Sequence, residues 1–76
     1  MSRIAPIPYR KLVRVLEIEG FVLDRQRGDH MMFAKPGIPR PVVVPKDNPV
    51  PVFIIKNTLR TARISRERYF ELLERV

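Results

Sequence analysis

The chain has 76 residues, with 15 Lys and Arg against 8 Asp and Glu, so its formal net charge is +7. A chain of this length buries only roughly 60% of the surface that its unfolded form exposes, so we expect one domain over residues 1–76. It has no cysteine and a single histidine, His30, which excludes disulfides and metal sites built from cysteine or several histidines. The longest uncharged segment has eight residues, against about twenty in a membrane span. We therefore expect a cytoplasmic protein with no membrane segment, metal or other cofactor.

The basic excess predicts an anionic partner. A charge of +7 on so small a surface favours nucleic acid first and an acidic protein second, through a field that raises encounter rates and weakens with salt. The aromatic residues do not alternate with basic residues, so a strand that stacks RNA bases is not indicated. Charge alone therefore leaves the class of partner open.

The first half of the chain predicts a helix followed by a β-hairpin. Pro8 suits the first position of a helix, and Gly20 suits its end. Segments 21–27 and 30–35 then read as strands, joined by Gly28-Asp29, a glycine-first pair that suits a type II′ turn. The apolar residues at helical spacing in the first helix are Tyr9, Leu12, Val13 and Leu16.

The second half predicts one more strand and two helices. Pro36-Gly37 turns the chain into a short strand over residues 41–45, whose valines are bounded by prolines. A helix follows over residues 52–63, and Ser65 is a good N-cap for a last helix. The apolar residues assigned to the face of the first of these helices are Phe53, Ile55, Leu59 and Ala62. This order predicts an α+β fold with a three-stranded antiparallel sheet, helices on one sheet face and a last helical region split in two.

The hairpin around His30 is the strongest candidate for chemistry. A two-residue loop places Arg27 directly opposite His30 and brings Arg25 onto the same face. Such a cluster is suited to RNA cleavage without a metal, because the 2′-hydroxyl of the RNA itself is the nucleophile. An imidazole can take or give the proton, and arginines stabilise the charge on the phosphate. Asp29 and Tyr9 are candidates for a second proton-transfer group, although a hairpin histidine is often an ordinary surface residue.

Strand alternation also predicts which face of the hairpin the helices cover. Phe21 and Leu23 fall on the His30 face, so we expect the helices to pack on its apolar end while its polar end protrudes as a basic rim. The opposite face would then need a second cover, from a partner protein or a second copy of the chain. The reverse assignment stays open because both faces carry apolar groups. The apolar residues on the face opposite His30 are Val22, Met31 and Phe33.

Four segments of the chain together resemble the HicA toxins, also called YcfA-like proteins. The segments are Leu16-Glu17-Ile18-Glu19-Gly20-Phe21, Arg25-Gln26-Arg27-Gly28-Asp29-His30, Val44-Pro45 and Ala62-Arg63-Ile64-Ser65. The resemblance implies a double-stranded-RNA-binding-domain-like fold of order α-β-β-β-α. It also implies a ribosome-independent mRNA interferase that a HicB antitoxin neutralises. The Gly-Ser-His signature of the family corresponds to Gly28-Asp29-His30, so the histidine taken as catalytic falls on His30.

The chain departs from the family pattern at three places. Asp29 replaces the usual serine and puts a carboxylate beside the histidine, where it would orient the imidazole or repel the phosphate. The histidine that the family often shows after the Val-Pro of the third strand is absent from Val44-Pro45-Lys46-Asp47. The Gly-Thr-Leu-Arg start of the family's next helix aligns with residues 53–56, which places Lys56 in the position of its arginine.

The resemblance therefore implies the toxin of a type II toxin-antitoxin system, acting as a metal-independent endoribonuclease. His30 would be the general base or acid, Arg25 and Arg27 would bind or stabilise the phosphate, and Lys35 and Lys56 would be secondary backbone contacts. The expected partners are mRNA and a HicB-like antitoxin. Two alternatives are a noncatalytic RNA-binding module of the same fold and a protein-interaction partner without an RNA role. Six helix-surface residues could follow an RNA backbone or simply be solvated: Lys11, Arg14, Arg60, Arg63, Arg66 and Arg68.

Overall fold

The computed structural model of the chain describes residues 3–76, which form one three-stranded sheet and three helices in the predicted order. The α+β fold expected from the sequence is confirmed, and the last helical region is indeed split in two. The elements are α1 (Tyr9–Ile18), β1 (Val22–Arg27), β2 (His30–Ala34), β3 (Val42–Pro45), α2 (Val52–Ala62) and α3 (Arg66–Leu73). Within the described residues, no helix has the length and apolar character needed to cross a bilayer.

Helix α1 begins one residue after the predicted first position and ends, as predicted, before Gly20. Pro8 is the N-cap, and its carbonyl accepts a hydrogen bond from the Lys11 N–H at 3.0 Å. Beyond the helix, Gly20 has a φ of +96°, a left-handed conformation that glycine adopts without a steric penalty. The fully buried side chains of α1 are Leu12, Val15 and Leu16, while Tyr9 and Val13 are partly buried at the edge of the core.

The sheet is an antiparallel meander of order β1-β2-β3. Arg27 lies opposite His30 across the hairpin, and Pro45 of β3 lies opposite His30 on the other side. Gly28 has a φ of +53° while Asp29 does not have a positive φ, which fits the type II′ turn that the glycine-first pair predicts. The hairpin register expected from the sequence is therefore confirmed.

A bulge in β1 changes the sheet face on which the residues before it lie. Leu23 lies opposite Phe33 while Arg25 lies opposite Met32, so Asp24 is an extra residue in the ladder. This extra residue turns Leu23 to the face of Phe33 and leaves Arg25 on the face of His30. Phe33 is fully buried on the sheet face that the helices cover. His30, on the opposite face, is exposed.

The expectation that the helices pack on the His30 face is therefore wrong, and the reverse assignment is correct. The covered face contributes Phe33, Val42 and Val44 to the core, where all three are fully buried with residues of the three helices. The placement of Val22 opposite the His30 face is wrong, because Val22 pairs with Ala34 on the His30 face and is 68% exposed there. The cluster of His30 with two arginines thus stands on the largely open face of the sheet.

Helix α3 is attached to α1 by a hydrogen-bonded ion pair. Ser65 caps α3 as predicted, since its Oγ accepts from the Arg68 N–H at 3.0 Å. The guanidinium of Arg68 donates to Glu19 at 2.8 Å and to Glu71 at 3.1 Å, and the bond to Glu19 chiefly raises the pKa of Arg68. Arg68 is thus engaged within the protein, unlike the solvated or RNA-tracking charge considered from the sequence.

Helix α2 closes the free edge of β3. The hydroxyl of Thr58 donates to the carbonyl of Val43 at 3.3 Å, so a side chain satisfies a backbone acceptor on this edge strand. Leu59 and Ala62 of the same helix are buried in the core. Arg63, the C-cap, has a φ of +58° and is the one non-glycine residue with positive φ in residues 3–76.

Candidate functional site

His30 is the first residue of β2, the central strand, and lies on the exposed face of the sheet. Arg27 stands directly across from it on β1, and directly opposed residues have Cβ atoms about 4.5 to 5.5 Å apart. Arg25 is the next residue on that face of β1, opposite Met32. Neither arginine has an ion-pair partner in the part of the chain that the structure describes, so both guanidinium groups are free to bind an anion.

The turn between Arg27 and His30 is held in place through its backbone. The carbonyl of Asp29 accepts a hydrogen bond of 2.7 Å from the Lys46 N–H, which ties the hairpin to the segment after β3. Within residues 3–76 the carboxylate of Asp29 has no hydrogen-bond or ion-pair partner, so it does not orient the imidazole. A Cβ at Gly28 would meet nothing within 4 Å, so its positive φ, not crowding, favours glycine there.

A cleft of about 430 Å³ opens beside His30, between β3 and α2. We call it the His30 cleft. Its residues are His30, Pro41, Val43, Pro45, Asp47, Pro51, Phe53, Ile54, Asn57, Thr58 and Thr61. The volume is within the range of about 300 to 1,000 Å³ that is usual for small-ligand sites. A mostly apolar wall with a few polar groups that fix the orientation of the ligand is typical of such sites.

Two of the residues that line the His30 cleft can titrate, His30 and Asp47. Asp47 was not singled out by the sequence, where only Asp29 and Tyr9 were considered as a second proton-transfer group. The structure links Tyr9 to Asp47 through the backbone, because the Tyr9 N–H donates to the Asp47 carbonyl at 3.2 Å. Among residues 3–76, no three His, Asp or Glu side chains are grouped as metal ligands would be.

The most exposed large aromatic side chain of the cleft is Phe53, which is 64% exposed. The sequence placed Phe53 on the apolar face of α2 with Ile55, and this is wrong. Residues two apart on a helix point about 200° apart, so a fully buried Ile55 turns Phe53 towards solvent. Asn57, one turn after Phe53, shares its face and was likewise missed. Correct helical spacing would have found both residues.

The two lysines predicted as secondary contacts lie in different places. Lys35 follows the far end of β2, about 16 Å along the strand from His30, with its Nζ 5.5 Å from the centroid of the Phe21 ring. Lys56 lies on the exposed surface of α2, one turn after Phe53, although it does not line the cleft. The fold thus groups His30 with Arg25 and Arg27, brings Lys56 to the same helix as the cleft, and keeps Lys35 apart.

A comparison with protein families fits this arrangement. The family model described as HicA toxin of bacterial toxin-antitoxin systems matches residues 9–64, well over half of the chain. The chain belongs to the HicA toxin family. The match runs from the first residue of α1 to just beyond α2, and so includes the hairpin and the His30 cleft. No curated protein and no solved structure matches the chain significantly.

Membership of the HicA family makes the chain a toxin of a toxin-antitoxin system, and an antitoxin is therefore its partner. The resemblance found in the sequence is confirmed. Helix α3 lies outside the matched residues, and the Arg68 to Glu19 ion pair attaches it to the matched part. The site is thus contained in the HicA part of the chain.

Proposed function

We propose that this HicA family toxin is a metal-independent endoribonuclease that cleaves mRNA with His30 as its proton-transfer residue. The observation that carries the proposal is the pairing of His30 with Arg27, with Arg25 next to them, on the exposed sheet face. None of the three side chains has an ion-pair partner within residues 3–76, so all are available to a substrate. The charge of +7 favours RNA as that substrate.

The proposed reaction uses the RNA as its own nucleophile. A proton leaves the 2′-hydroxyl, the 2′-oxygen attacks the neighbouring phosphorus, and the bond from phosphorus to the 5′-oxygen breaks. The 5′-oxygen takes up a proton, which leaves a 2′,3′-cyclic phosphate and a 5′-hydroxyl. His30 removes the first proton or supplies the second, a contribution of roughly 10²- to 10⁴-fold in rate. Arg27 and Arg25 neutralise charge on the phosphate oxygens.

A second proton-transfer group is best sought in the His30 cleft. Asp47 is the other titratable side chain that lines it, which supports Asp47 over Asp29. Lys56 is suited to a backbone contact because it is exposed on the helix that forms one wall. For Lys35, the distance along β2 leaves only a contact with phosphates remote from His30, and that role stays a prediction.

The antitoxin is proposed to be HicB-like and to cover the open sheet face. This face carries His30 and the arginines together with apolar Val22 and Val43, which are 68% and 37% exposed. A protein that buries these residues would mask the site and remove apolar surface from water in one step. A second copy of the chain is the alternative cover. The proposed place of action is the cytoplasm, where mRNA is available.

Expression of the wild type and of His30→Ala in bacterial cells tests the proposal. We expect growth arrest and loss of intact mRNA with the wild type, and neither with His30→Ala. Arg75→Ala removes one positive charge outside the site and should remain toxic. Purified wild type should leave 2′,3′-cyclic phosphate ends on RNA without added metal. Equal toxicity of wild type and His30→Ala would overturn the assignment of His30.

Asp29 in the Gly-Ser-His position favours a second candidate, an RNA-binding module that does not cleave. This candidate predicts salt-dependent binding of RNA with every transcript left intact. A protein-interaction partner without an RNA role predicts no measurable RNA affinity at all. Binding and cleavage assays on the same preparation separate the three functions.

A further inference from the structure

A second cleft, of about 260 Å³, adjoins the His30 cleft along α2. We call it the arginine cleft. Its residues are Pro39, Arg40, Arg60, Thr61 and Arg63. Thr61 lines both clefts, and Arg40 of one is followed directly by Pro41 of the other. The two clefts therefore form one continuous track that begins at His30 and ends among three arginines.

The charges of the arginine cleft are not compensated inside the protein. Arg40, Arg60 and Arg63 are exposed, and none has an ion pair or a side-chain hydrogen bond with another residue of 3–76. Three positive charges around one small cleft repel each other, and this repulsion is relieved when an anion binds among them. Arginine forms two parallel hydrogen bonds with a carboxylate or a phosphate, and the continuity of this cleft with the His30 cleft favours a phosphate.

The backbone conformation at Arg63 also supports anion binding in the arginine cleft. Its φ of +58° is the left-handed conformation in which helices usually end on glycine or asparagine, because a Cβ is strained there. Glycine would therefore suit the fold better than arginine at this position. The arginine adds a positive charge to the cleft at the expense of backbone strain.

The His30 cleft offers a binding site for a nucleobase. The exposed ring of Phe53 is a stacking surface, and Asn57, one turn further along α2, brings an amide with both donor and acceptor atoms. Val43 and Pro45 provide an apolar opposite wall. An unpaired base can enter such a site, whereas the bases of an RNA duplex are held within its stack.

We propose that the two clefts bind single-stranded RNA next to the cleavage point. In this arrangement a base stacks on Phe53, Asn57 hydrogen-bonds to its edge, and the following phosphates bind Arg40, Arg60 and Arg63. The distance along α2 from Phe53 to Arg60 is about 10 Å, enough for about three nucleotides at a stacked spacing of roughly 3.4 Å. The inference rests on the proposed function only in taking the scissile phosphate to lie at His30.

Binding to the uncleaving His30→Ala protein tests the base site. The probe is a fluorescent single-stranded RNA of twelve nucleotides, with a duplex of the same sequence as competitor. Adding Phe53→Ala should weaken binding about ten-fold, since stacking on one aromatic side chain contributes roughly 1 to 3 kcal/mol per base. The matched control is Ile18→Ala, which trims another exposed apolar side chain and lines neither cleft. The duplex should compete poorly.

Arg63→Gly, made in the same His30→Ala background, separates RNA binding from folding. It removes the strain at this position, so the thermal midpoint should stay the same or rise, while RNA affinity falls several-fold. The slope of log affinity against log salt should become shallower by about 0.7, the value for one phosphate contact on a single strand. Arg75→Gly removes the same charge outside both clefts and should leave the affinity and slope unchanged.

Photocrosslinking locates the bound RNA directly. RNA that contains 4-thiouridine should crosslink to the tryptic peptide of residues 47–56, which contains Phe53. If the wild type cleaves RNA while Phe53→Ala and Arg63→Gly bind as tightly as their parent, the track is wrong and the proposed function stands. If both variants lose RNA affinity but the wild type cleaves nothing, the track stands and the proposed function fails. A Phe53→Ala variant with unchanged RNA affinity that turns a dimer into a monomer in sedimentation would make the cleft a protein interface and overturn the inference.

Discussion

The side of the molecule formed by α1 and α3 and the side formed by β3 and α2 use their charged residues differently. Between α1 and α3, Arg68 is paired with Glu19 and Glu71 and joins two elements of the fold. Beside β3 and α2, the arginine cleft keeps its cations without partners among residues 3–76, and an aromatic ring is exposed next to them. Surface charge therefore joins elements of the fold on the first side and stays unpaired among the described residues on the second. The same contrast predicts that substitutions on the two sides affect different measurements.

The largest stability difference is expected between two apolar side chains. Leu72 of α3 is fully buried, and Leu72→Ala should lower the free energy of unfolding by about 2 to 5 kcal/mol through lost burial and a cavity. Phe53→Ala, on the open side, should change it by less than about 0.5 kcal/mol because the ring is 64% exposed. Urea unfolding of both variants measures the difference. Similar losses would show that Phe53 belongs to the core after all.

Two arginines should show the contrast in activity. Arg27→Ala should lower the cleavage rate on the order of 100-fold, the effect of removing one donor that stabilises transition-state charge, and leave the thermal midpoint unchanged. Arg68→Ala should lower the thermal midpoint and leave the rate unchanged, because Arg68 contacts α1 and not the cleft. Single-turnover cleavage and thermal unfolding on the same samples test both expectations. A rate loss in Arg68→Ala would contradict the separation of the two sides.

A smaller effect is expected for the pair of Arg68 and Glu19. The Arg68 side chain is 40% exposed, so water and salt screen its attraction to the carboxylate. A double-mutant cycle with Glu19→Gln should therefore give a small coupling that decreases further in high salt. A large coupling that salt does not reduce would mean that the pair is shielded from solvent.

The smallest effect at neutral pH is expected at Tyr69, whose ring lies in the core. Its hydroxyl is buried without a hydrogen-bond partner among the described residues, so Tyr69→Phe removes no bond and should be neutral or slightly stabilising. Burial raises the pKa of Tyr69 from 10.0 to about 12. The unfolded chain therefore loses the Tyr69 proton at a lower pH than the folded chain does. As a result, the free energy of unfolding decreases as pH rises from about 10 through 12. Alkaline unfolding of wild type should start at lower pH than that of Tyr69→Phe.

Local signals in the sequence were enough to predict the elements and the hairpin. Pro8 and Gly20 bound α1, Ser65 caps α3, and Gly28-Asp29 sets the register that places Arg27 opposite His30. Each of these depends on backbone preferences over a few residues. The family resemblance depends on the same short segments and was confirmed with them.

The features that the sequence did not predict depend on contacts between distant segments. The bulge at Asp24 moves Leu23 from the His30 face to the face of Phe33, and no residue type in the sequence indicates it because both faces carry apolar groups. The two clefts exist because α2 packs against the edge of β3, through contacts such as Thr58 with Val43. The exposure of Phe53 follows from helical geometry alone, because Phe53 and the buried Ile55 are two residues apart and point in nearly opposite directions.

The bulge also affects how β1 tolerates changes in length. In a regular strand, deleting one residue transfers every side chain beyond that point to the opposite sheet face. Here Leu23 and Arg25 already lie opposite consecutive residues of β2, so loss of Asp24 would leave a regular ladder with each remaining side chain on its present face. A deletion at this one position would thus preserve both the core and the arginines beside His30, while a deletion at Gln26 would turn Arg25 away from the histidine.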